Sequence, residues 1–328
     1  MEYIKLGNTG TTVSRIALGA MSFGGPTELW PWALTESDSR PLIKQAIELG
    51  INFFDTADTY NEGHSEVVLG KALKDFGRRE EQIITSKVYY PVNPRAGANE
   101  KGLSRKHIMT SIDKSLKRLG TDYIDLYQIH RWDDNTPIEE TMEALDDIVR
   151  SGKARYIGAS SMRSWQFAKA QYTADLNGWT RFISMQAQYS LIYREEEREM
   201  FPFCQDQKVA ILPWSPLGAG MLTGSWTREG NHSDRARTDK YVHDFYDTEN
   251  NFDIADRVKQ LAAQRGIPAA QLALAWVLSK PGITAPIIGA TESGHIEDAV
   301  AALSVQLSTE EIQFLEEIYE IHPVLINQ

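Results

Sequence analysis

Four side chains that could perform acid–base chemistry lie at the ends of three consecutive apolar segments. Asp55 ends the segment 51–55 and Tyr60 follows five residues later, while Lys87 and His130 end the next two such segments. Each residue alone has an ordinary structural explanation, such as a helix cap, a half-buried ring, a surface lysine or a hydrogen-bonded core histidine. If the segments are neighbouring parallel strands, all four side chains meet at one rim, and this joint placement favours a functional site.

Together, the four side chains are suited to protonating an oxygen atom that gains negative charge. A tyrosine, with a pKa near ~10, is a weak acid at neutral pH, and we expect the ammonium group of Lys87 to lower the pKa of Tyr60. Asp55 supplies the counter-charge that a buried ammonium group needs, and His130 can hydrogen-bond the same substrate oxygen. The pattern contains neither an activated nucleophile nor a metal cluster, so it favours reduction of a carbonyl group by a separate hydride donor.

Short apolar, β-rich segments alternate with helical patterns along the chain. Most of these segments lack a period of two, as expected for strands that are buried on both faces. The alternation predicts a (β/α)8 TIM barrel of the α/β class. The eight segments comprise residues 16–19, 51–55, 83–87, 123–130, 155–160, 182–188, 209–214 and 284–288.

An open, doubly wound sheet is the alternative architecture. It would place a Gly-rich phosphate loop after the first strand, but Gly19 is followed by Ala-Met-Ser-Phe-Gly-Gly, which lacks the GxGxxG spacing. We therefore interpret residues 1–328 as one barrel domain with an N-terminal β-hairpin (1–15) and a C-terminal extra helix with a tail (304–328).

Residues 218–253 form a long polar connection, which we expect to be a loop over the cofactor or substrate. Loops of this length in a compact barrel are usually functional lids. Three arginines in it, Arg228, Arg235 and Arg237, could approach phosphate groups.

Composition and charge argue against several classes of protein. Hydrophobic residues make up 42% and charged residues 24% of the chain, which is typical of a globular protein. The net charge is −11 and no basic cluster occurs, so we expect no nucleic-acid partner. Cys204 is the single cysteine and cannot form an internal disulfide. Neither a signal peptide nor a membrane span is predicted, so we expect a cytoplasmic enzyme. The sequence leaves its oligomeric state open.

Several motifs resemble those of the aldo-keto reductases, especially the general reductases of bacteria and fungi, over nearly the whole chain. They are Phe54-Asp55-Thr-Ala-Asp-Thr-Tyr60 with Gly63 and Ser65-Glu66, Lys87, Asp125-Leu-Tyr-Gln-Ile-His130, Ile157-Gly-Ala-Ser160-Ser161, Gln186, Pro213-Trp-Ser-Pro-Leu217 and Ile288-Gly-Ala-Thr291. The resemblance implies a barrel that binds a nicotinamide cofactor and reduces aldehydes or ketones to alcohols. It implies that Tyr60 is the general acid, that Lys87 and Asp55 tune it, and that His130 orients the carbonyl group.

The same resemblance implies a set of cofactor-binding residues. Ser160, Ser161 and Gln186 would hold the carboxamide, Trp214 would stack on the nicotinamide ring, and Ser215 and Leu217 would meet the pyrophosphate. The remaining residues that we assign to the cofactor, towards its adenosine end, are Gly289, Thr291, His295 and Asp298. The family implies NADP(H), but Glu292, His295 and Ala299 depart from its usual residues near the 2′-phosphate. NAD(H) therefore remains a weaker alternative.

Aromatic residues in the loops after three of the strands predict an apolar mouth for a small carbonyl substrate. These residues are Trp30, Trp32, Tyr89 and Trp132, and packing within the loops explains them equally well. Two other functions stay open at this point. The chain could be a cofactor-binding, redox-sensing auxiliary subunit with little turnover, or Lys87 could form a Schiff base in an aldolase-like barrel, which would leave Asp55 and Tyr60 unexplained.

Overall fold

The computed structural model describes residues 1–228, 230, 231 and 233–324. Its strands are β1 (Tyr3–Lys5), β2 (Thr12–Ser14), β3 (Ala17–Gly19), β4 (Phe53–Asp55), β5 (Ile83–Val88), β6 (Ile124–Ile129), β7 (Ala154–Ser160), β8 (Phe182–Gln188), β9 (Ala210–Trp214), β10 (Trp226–Thr227), β11 (Gly230–Asn231) and β12 (Ile287–Gly289). Its α-helices are α1 (Glu36–Glu48), α2 (His64–Phe76), α3 (Arg105–Leu119), α4 (Ile138–Arg150), α5 (Ser164–Asn177), α6 (Met200–Asp206), α7 (Asp234–Thr238), α8 (Lys240–Tyr246), α9 (Glu249–Arg265), α10 (Ala269–Ser279), α11 (Ser293–Ala301) and α12 (Thr309–Glu316).

Eight parallel strands close into a barrel in the order β12-β3-β4-β5-β6-β7-β8-β9. Every residue of β5 and β6 is buried, because one face of each strand lines the barrel interior and the other is covered by helices. The predicted (β/α)8 barrel is therefore confirmed, and the carboxyl ends of its strands define the rim on which such barrels carry their sites.

A hairpin of β1 and β2 covers the opposite end of the barrel. Leu6 and Val13 are fully buried, and they pack with Ala17, Phe53 and Ile83, which start three of the barrel strands. This apolar cluster closes one end of the barrel and stabilises the fold. The reactive side chains lie at the opposite rim, at the carboxyl ends of the strands.

The last barrel strand begins later than the sequence predicts. We expected a strand over 284–288, but β12 covers Ile287–Gly289. The reason is Pro286, which has no N–H group to donate to a ladder; only its carbonyl oxygen is used, as the acceptor for the N–H group of Ala17 at 3.0 Å.

The segment 218–253, expected to be a long loop, consists largely of short regular elements. It contains a 3₁₀ turn (Gly218–Thr223), the hairpin β10–β11, helices α7 and α8, and the start of α9. Trp226 and Ala236 anchor it because both side chains are buried. The sequence did not indicate these regular elements, because the polar composition of the segment concealed its few apolar anchors. A role over the cofactor or substrate stays a prediction.

The C-terminal region has the helix predicted there, α12, with Ser308 and Glu311 forming a capping box at its start. The end of the predicted tail, residues 325–328, lies outside the described residues. Among the helices that the structure describes, none combines the length and apolar character needed to cross a bilayer.

Candidate active site

Asp55 and Lys87 form a buried ion pair at the carboxyl ends of β4 and β5. The Nζ atom of Lys87 lies 2.6 Å from Oδ2 of Asp55 and 2.8 Å from the backbone oxygen of Thr56. Burial by itself lowers the pKa of Lys87, but the charge of Asp55 and the contact with Tyr60 outweigh it, and the net pKa is raised. Lys87 is therefore protonated at neutral pH, and its ammonium group contacts the side chains of Asp55 and Tyr60.

The second carboxylate oxygen of Asp55 accepts three further hydrogen bonds that the sequence did not reveal. Thr85 Oγ1 donates to Oδ1 at 2.5 Å, Gln186 Nε2 at 2.9 Å and Gln128 Nε2 at 3.4 Å. Strand alternation could have identified Gln128, because it shares the inward face of β6 with the position of His130. These contacts lock the carboxylate in place, so it orients Lys87 as well as neutralising it.

Tyr60 lies in a 3₁₀ turn directly after β4, and its hydroxyl oxygen accepts a hydrogen bond from Lys87 Nζ at 3.3 Å. Burial raises the pKa of Tyr60, Lys87 lowers it, and Asp55 raises it again, so the net pKa lies above its ordinary value. The sequence did not indicate this net upward shift of the Tyr60 pKa. Lys87 acts in the expected direction, but the loss of hydration has the larger effect.

His130 lies beside Tyr60 and is kept neutral. Burial, Lys87 and Arg131 hold its pKa well below the ordinary value. Its ring centroid is 5.7 Å from that of Tyr60, in an edge-to-face arrangement. Nδ1 of His130 is buried and has no hydrogen-bond partner among the described residues. A neutral imidazole at this position can donate to an uncharged carbonyl oxygen from one ring nitrogen.

The four predicted aromatic pocket residues occupy two different places. Trp30 packs edge-to-face on Tyr60 at 6.0 Å, and Tyr89 packs on Tyr90 at 5.0 Å. Tyr90, the next aromatic residue in the loop after β5, contacts the ring of His130, with 5.1 Å between the ring centroids. These rings surround the two proton-bearing groups and form an aromatic wall.

Trp32 and Trp132 lie apart from that wall and are nearly buried. The Arg235 guanidinium stacks over Trp32 at 4.5 Å, so Trp32 supports the segment 218–253. Trp132 packs on Trp165 at 6.1 Å and bonds Asp134 through its indole nitrogen at 2.9 Å. Both residues make packing contacts in this structure, and a contact of either with substrate stays a prediction.

The predicted carboxamide-binding residues meet where β7, β8 and β9 end. Ser160 pairs in register with Gln186, and the hydroxyl group of Ser161 accepts a hydrogen bond from the indole nitrogen of Trp214 at 3.0 Å. Ser161 and Ser215 have φ angles of 47° and 50°, a region that is costly for residues other than glycine and is often found at binding sites. The side-chain amide of Gln186 donates a hydrogen bond to Asp55, so it connects the four acid–base residues with the predicted cofactor-binding residues.

The remaining predicted cofactor residues lie beyond these strand ends. Leu217 is half-buried in the turn after β9, and Gly289 ends β12, with open space where a side chain would lie. Thr291 and His295 are exposed at the start of α11, where the Thr291 N–H group donates to Nδ1 of His295 at 3.3 Å. Asp298 is engaged with the neighbouring helix, since it accepts a hydrogen bond from Gln271 of α10 at 2.8 Å.

The three arginines expected to approach phosphate are all engaged in ion pairs within the segment or with α9. Arg228 contacts three carboxylates of α9, Arg235 pairs with Asp239 at 3.2 Å, and Arg237 pairs with Asp234. Arg235 and Arg237 pair with carboxylates on their own segment, whereas the partners of Arg228 lie 21–28 positions further along the chain. An approach of these arginines to phosphate stays a prediction. Among the described residues no group of three histidine, cysteine or acidic side chains could hold a metal ion.

The site as a whole combines a phenol, an ammonium, a carboxylate and a neutral imidazole at one rim, with a cradle of hydroxyl and indole groups beside them. Comparison with known proteins shows to which family the chain belongs. The model of the aldo/keto reductase family matches residues 15–320. The chain belongs to the aldo/keto reductase family. The resemblance that the motifs indicated is thereby confirmed.

Similar reductases are found in fungi. Versiconal hemiacetal acetate reductase of Aspergillus parasiticus is 45% identical, over 98% of this chain and 99% of that protein. Aldo-keto reductase dtxS3 of Metarhizium robertsii is 41% identical, over 97% and 91%. The provisionally named aryl-alcohol dehydrogenase AAD16 of Saccharomyces cerevisiae is 39% identical, over 98% and 97%. This aldo/keto reductase is therefore an oxidoreductase that depends on a nicotinamide cofactor and acts on carbonyl groups.

Proposed function

We propose that this aldo/keto reductase reduces aldehydes and ketones with NADPH and that Tyr60 donates the proton to the carbonyl oxygen. The observation that carries the proposal is the contact of Lys87 Nζ with both Asp55 Oδ2 and the Tyr60 hydroxyl group. In this arrangement Lys87 donates a hydrogen bond to Tyr60, so the phenol proton is free to point towards a substrate. A fixed ammonium group also stabilises the phenolate that remains after proton transfer.

The residues present fit a nicotinamide cofactor. Hydroxyl groups of Ser160 and Ser161 can hydrogen-bond an amide, and Trp214 presents a half-buried indole whose nitrogen is fixed by Ser161. Thr291 and His295 lie at the start of α11, and the N-terminal ends of helices are sites that favour phosphate. When bound, the nicotinamide supplies a hydride for the carbonyl carbon.

The chain's own residues position the carbonyl group and manage the proton. His130, being neutral, donates a hydrogen bond to the carbonyl oxygen and polarises it without adding charge to the pocket. Tyr60 transfers its proton to the same oxygen as negative charge develops there. Lys87, which Asp55 holds in place, stabilises the resulting phenolate. The aromatic wall of Trp30 and Tyr90 keeps water away.

The substrate that this site fits is a small carbonyl compound with an aromatic or apolar group next to the carbonyl carbon. The wall beside Tyr60 and His130 consists of rings, and rings prefer edge-to-face or offset contacts with one another. Two similar proteins carry names that refer to a hemiacetal acetate and to aryl alcohols. Aromatic aldehydes are accordingly the first compounds to test.

The structure also bears on a Schiff-base role for Lys87 and on the choice between NADPH and NADH. A Schiff-base role for Lys87 is disfavoured, because its raised pKa keeps the amine protonated and unreactive. Preference for NADPH over NADH rests on the family, while exposed Glu292, 3.6 Å from His295, would oppose a 2′-phosphate. We propose a preference for NADPH that is narrower than is usual for the family.

The test is turnover by the purified protein. A panel of aromatic and aliphatic aldehydes and ketones is mixed with NADPH or with NADH, and the absorbance of the reduced cofactor is followed. We expect NADPH to be consumed fastest with aromatic aldehydes. Tight binding of NADPH without consumption by any member of the panel would contradict the proposal and favour an auxiliary, sensing role.

A further inference from the structure

The turn that carries Tyr60 has an unusual backbone. Asn61, Glu62 and Gly63 have φ angles of 48°, 56° and 87°, so three consecutive residues are left-handed. Two of them are not glycine, and such a conformation persists only where surrounding groups enforce it. The position of the Tyr60 hydroxyl group therefore depends on whatever holds this turn.

One face of the turn is held by Asn61. Its Nδ2 atom donates to the backbone oxygens of Met21 at 2.9 Å and of Phe23 at 2.7 Å. These two bonds fix the turn to the loop after β3. They do not connect the turn to β5, which carries Lys87.

The other face of the turn lies directly on the side chain of Arg118, which comes from α3. A methyl group added to Gly63 would lie 2.9 Å from both Cδ and Nε of Arg118. The arginine therefore occupies the space next to the glycine, and any shift of its side chain changes the support under the turn.

Glu66 connects that arginine to the strand of Lys87. Its Oε2 atom accepts a hydrogen bond from Arg118 Nε at 2.5 Å, and its Oε1 atom accepts one from Ser86 Oγ at 2.5 Å. Ser86 precedes Lys87 in β5, and the Glu66 side chain is fully buried. One carboxylate thus ties the support of the Tyr60 turn to the backbone that carries Lys87.

We propose that Glu66 and Arg118 are positioning residues that set the distance between Tyr60 and Lys87. The inference rests on the proposed function, in which that contact prepares Tyr60 for proton transfer. The contact is the longest of the three hydrogen bonds of Lys87, at 3.3 Å against 2.6 and 2.8 Å. It is therefore the bond that a small movement of the turn breaks first.

Loss of this positioning has a specific signature in the pH dependence of alcohol oxidation, where Tyr60 must be the phenolate. Lys87 lowers the pKa of Tyr60, so a longer contact raises that pKa. The other charged or titratable groups around Tyr60 include Asp55 on β4 and His130 and Arg131 after β6, and the variants below leave these unchanged. Buried Asp58, two residues before Tyr60, interacts with Lys87, Glu66 and Arg118 and is retained in every variant. A loss of stability alone does not move this pKa.

The experiment compares Arg118→Met, Arg118→Lys and Glu66→Gln with a matched control, Ser115→Ala. Ser115 is buried in α3 and accepts a second, longer hydrogen bond from Arg118, at 3.3 Å, so its loss leaves the 2.5 Å bond from Arg118 Nε to Glu66 in place. For each variant, kcat and KM for an aromatic aldehyde, the Kd for NADPH and the pH midpoint of alcohol oxidation are measured, well below the unfolding temperature.

We expect Arg118→Met to lower kcat at least tenfold, with KM and the NADPH Kd within about twofold of the parent values. Its oxidation midpoint should move to higher pH. Glu66→Gln should behave similarly, Arg118→Lys should recover most of kcat, and Ser115→Ala should match the parent. Should Arg118→Met fail to fold, Ser86→Ala, which removes one bond of Glu66, is expected to show the same shift on a smaller scale.

Two results would overturn the proposal. One is an unchanged kcat and midpoint in a folded Arg118→Met or Ser86→Ala enzyme. The other is an equal loss in kcat and in NADPH binding, which indicates general disruption of the fold. If the unmodified protein turned over no carbonyl compound, the proposed function would fail first, and the positioning role would fall with it.

Discussion

Replacement of Lys87 by methionine separates its structural contribution from its chemical one. Methionine retains much of the apolar stem but removes the ammonium group, so Asp55 keeps its bonds from Thr85, Gln186 and Gln128 and loses its counter-charge. Both members of the pair are buried, with side-chain exposures of 0% and 4%. Removing one partner of such a pair costs about 3–5 kcal/mol, and we expect the free energy of unfolding to fall by this amount.

A second variant, Asp55→Asn combined with Lys87→Met, completes the design. The neutral amide no longer needs a counter-charge, so the free energy of unfolding should return at least halfway to the parent value. Turnover should stay low in both variants, by about 10²–10⁴-fold in kcat, because Tyr60 lacks the ammonium group that stabilises its phenolate. Stability therefore recovers while activity does not.

Urea unfolding at neutral pH, followed by tryptophan fluorescence, gives the two stabilities, and NADPH consumption with an aromatic aldehyde gives kcat. The NADPH Kd should change little, because Lys87 contacts no predicted cofactor-binding residue. Recovery of kcat in the double variant would refute the reasoning, since it would show that Lys87 acts only as the counter-charge of Asp55. Persistent instability of the double variant would contradict the ion-pair argument.

Three further predictions concern the cofactor site and the buried Glu196, which lies in the 3₁₀ turn before α6. Glu292→Lys should tighten NADPH binding by about tenfold or more, which is the value of one charge-assisted hydrogen bond, and leave the affinity for NADH unchanged. Equal effects on both cofactors in fluorescence titrations would show that Glu292 does not face the 2′-phosphate. Amide hydrogen exchange in residues 218–253 should slow when NADPH binds, because the ion pairs of Arg228 and Arg235 can be exchanged for phosphate contacts; unchanged exchange would indicate a static segment. Burial and the neighbouring Glu195 raise the pKa of Glu196 to about 8. Between about pH 5 and 8 the unfolded chain releases this proton and the native state retains it. The free energy of unfolding of the parent protein should therefore fall as the pH rises through this range. Glu196→Gln should lessen that loss by up to about 1.4 kcal/mol per pH unit, and parallel stability curves in urea titrations would contradict the assignment.

Much of the architecture could be predicted from the sequence because its signals are local. Continuous apolar segments separated by helical patterns are sufficient to predict a parallel barrel. Reactive side chains at the ends of such segments are then brought to the same rim by the topology itself. This is why Asp55, Lys87 and His130 could be identified before their contacts were known.

The contacts of the site could not be predicted because they join distant parts of the chain. Gln186 lies 131 positions from Asp55, and nothing in either local sequence indicates their hydrogen bond. The direction of the pKa of Tyr60 depends on how completely water is excluded, which a sequence pattern does not report. Similarly, the contact between the rings of Trp132 and Trp165 joins the loop after β6 to α5, and neither local sequence indicates it.

The most direct test of the central claim is the variant Tyr60→Phe. It removes one hydroxyl group and keeps the ring that packs on Trp30 and His130. Single-turnover oxidation of NADPH by an aromatic aldehyde measures the chemical step, and fluorescence titration measures NADPH affinity; Tyr172→Phe, at an exposed position of α5, is the matched control. If Tyr60 is the general acid, the rate of the chemical step falls by about 10²–10⁴-fold while the NADPH Kd stays the same. A Tyr60→Phe enzyme that keeps half of the parent rate would contradict the account.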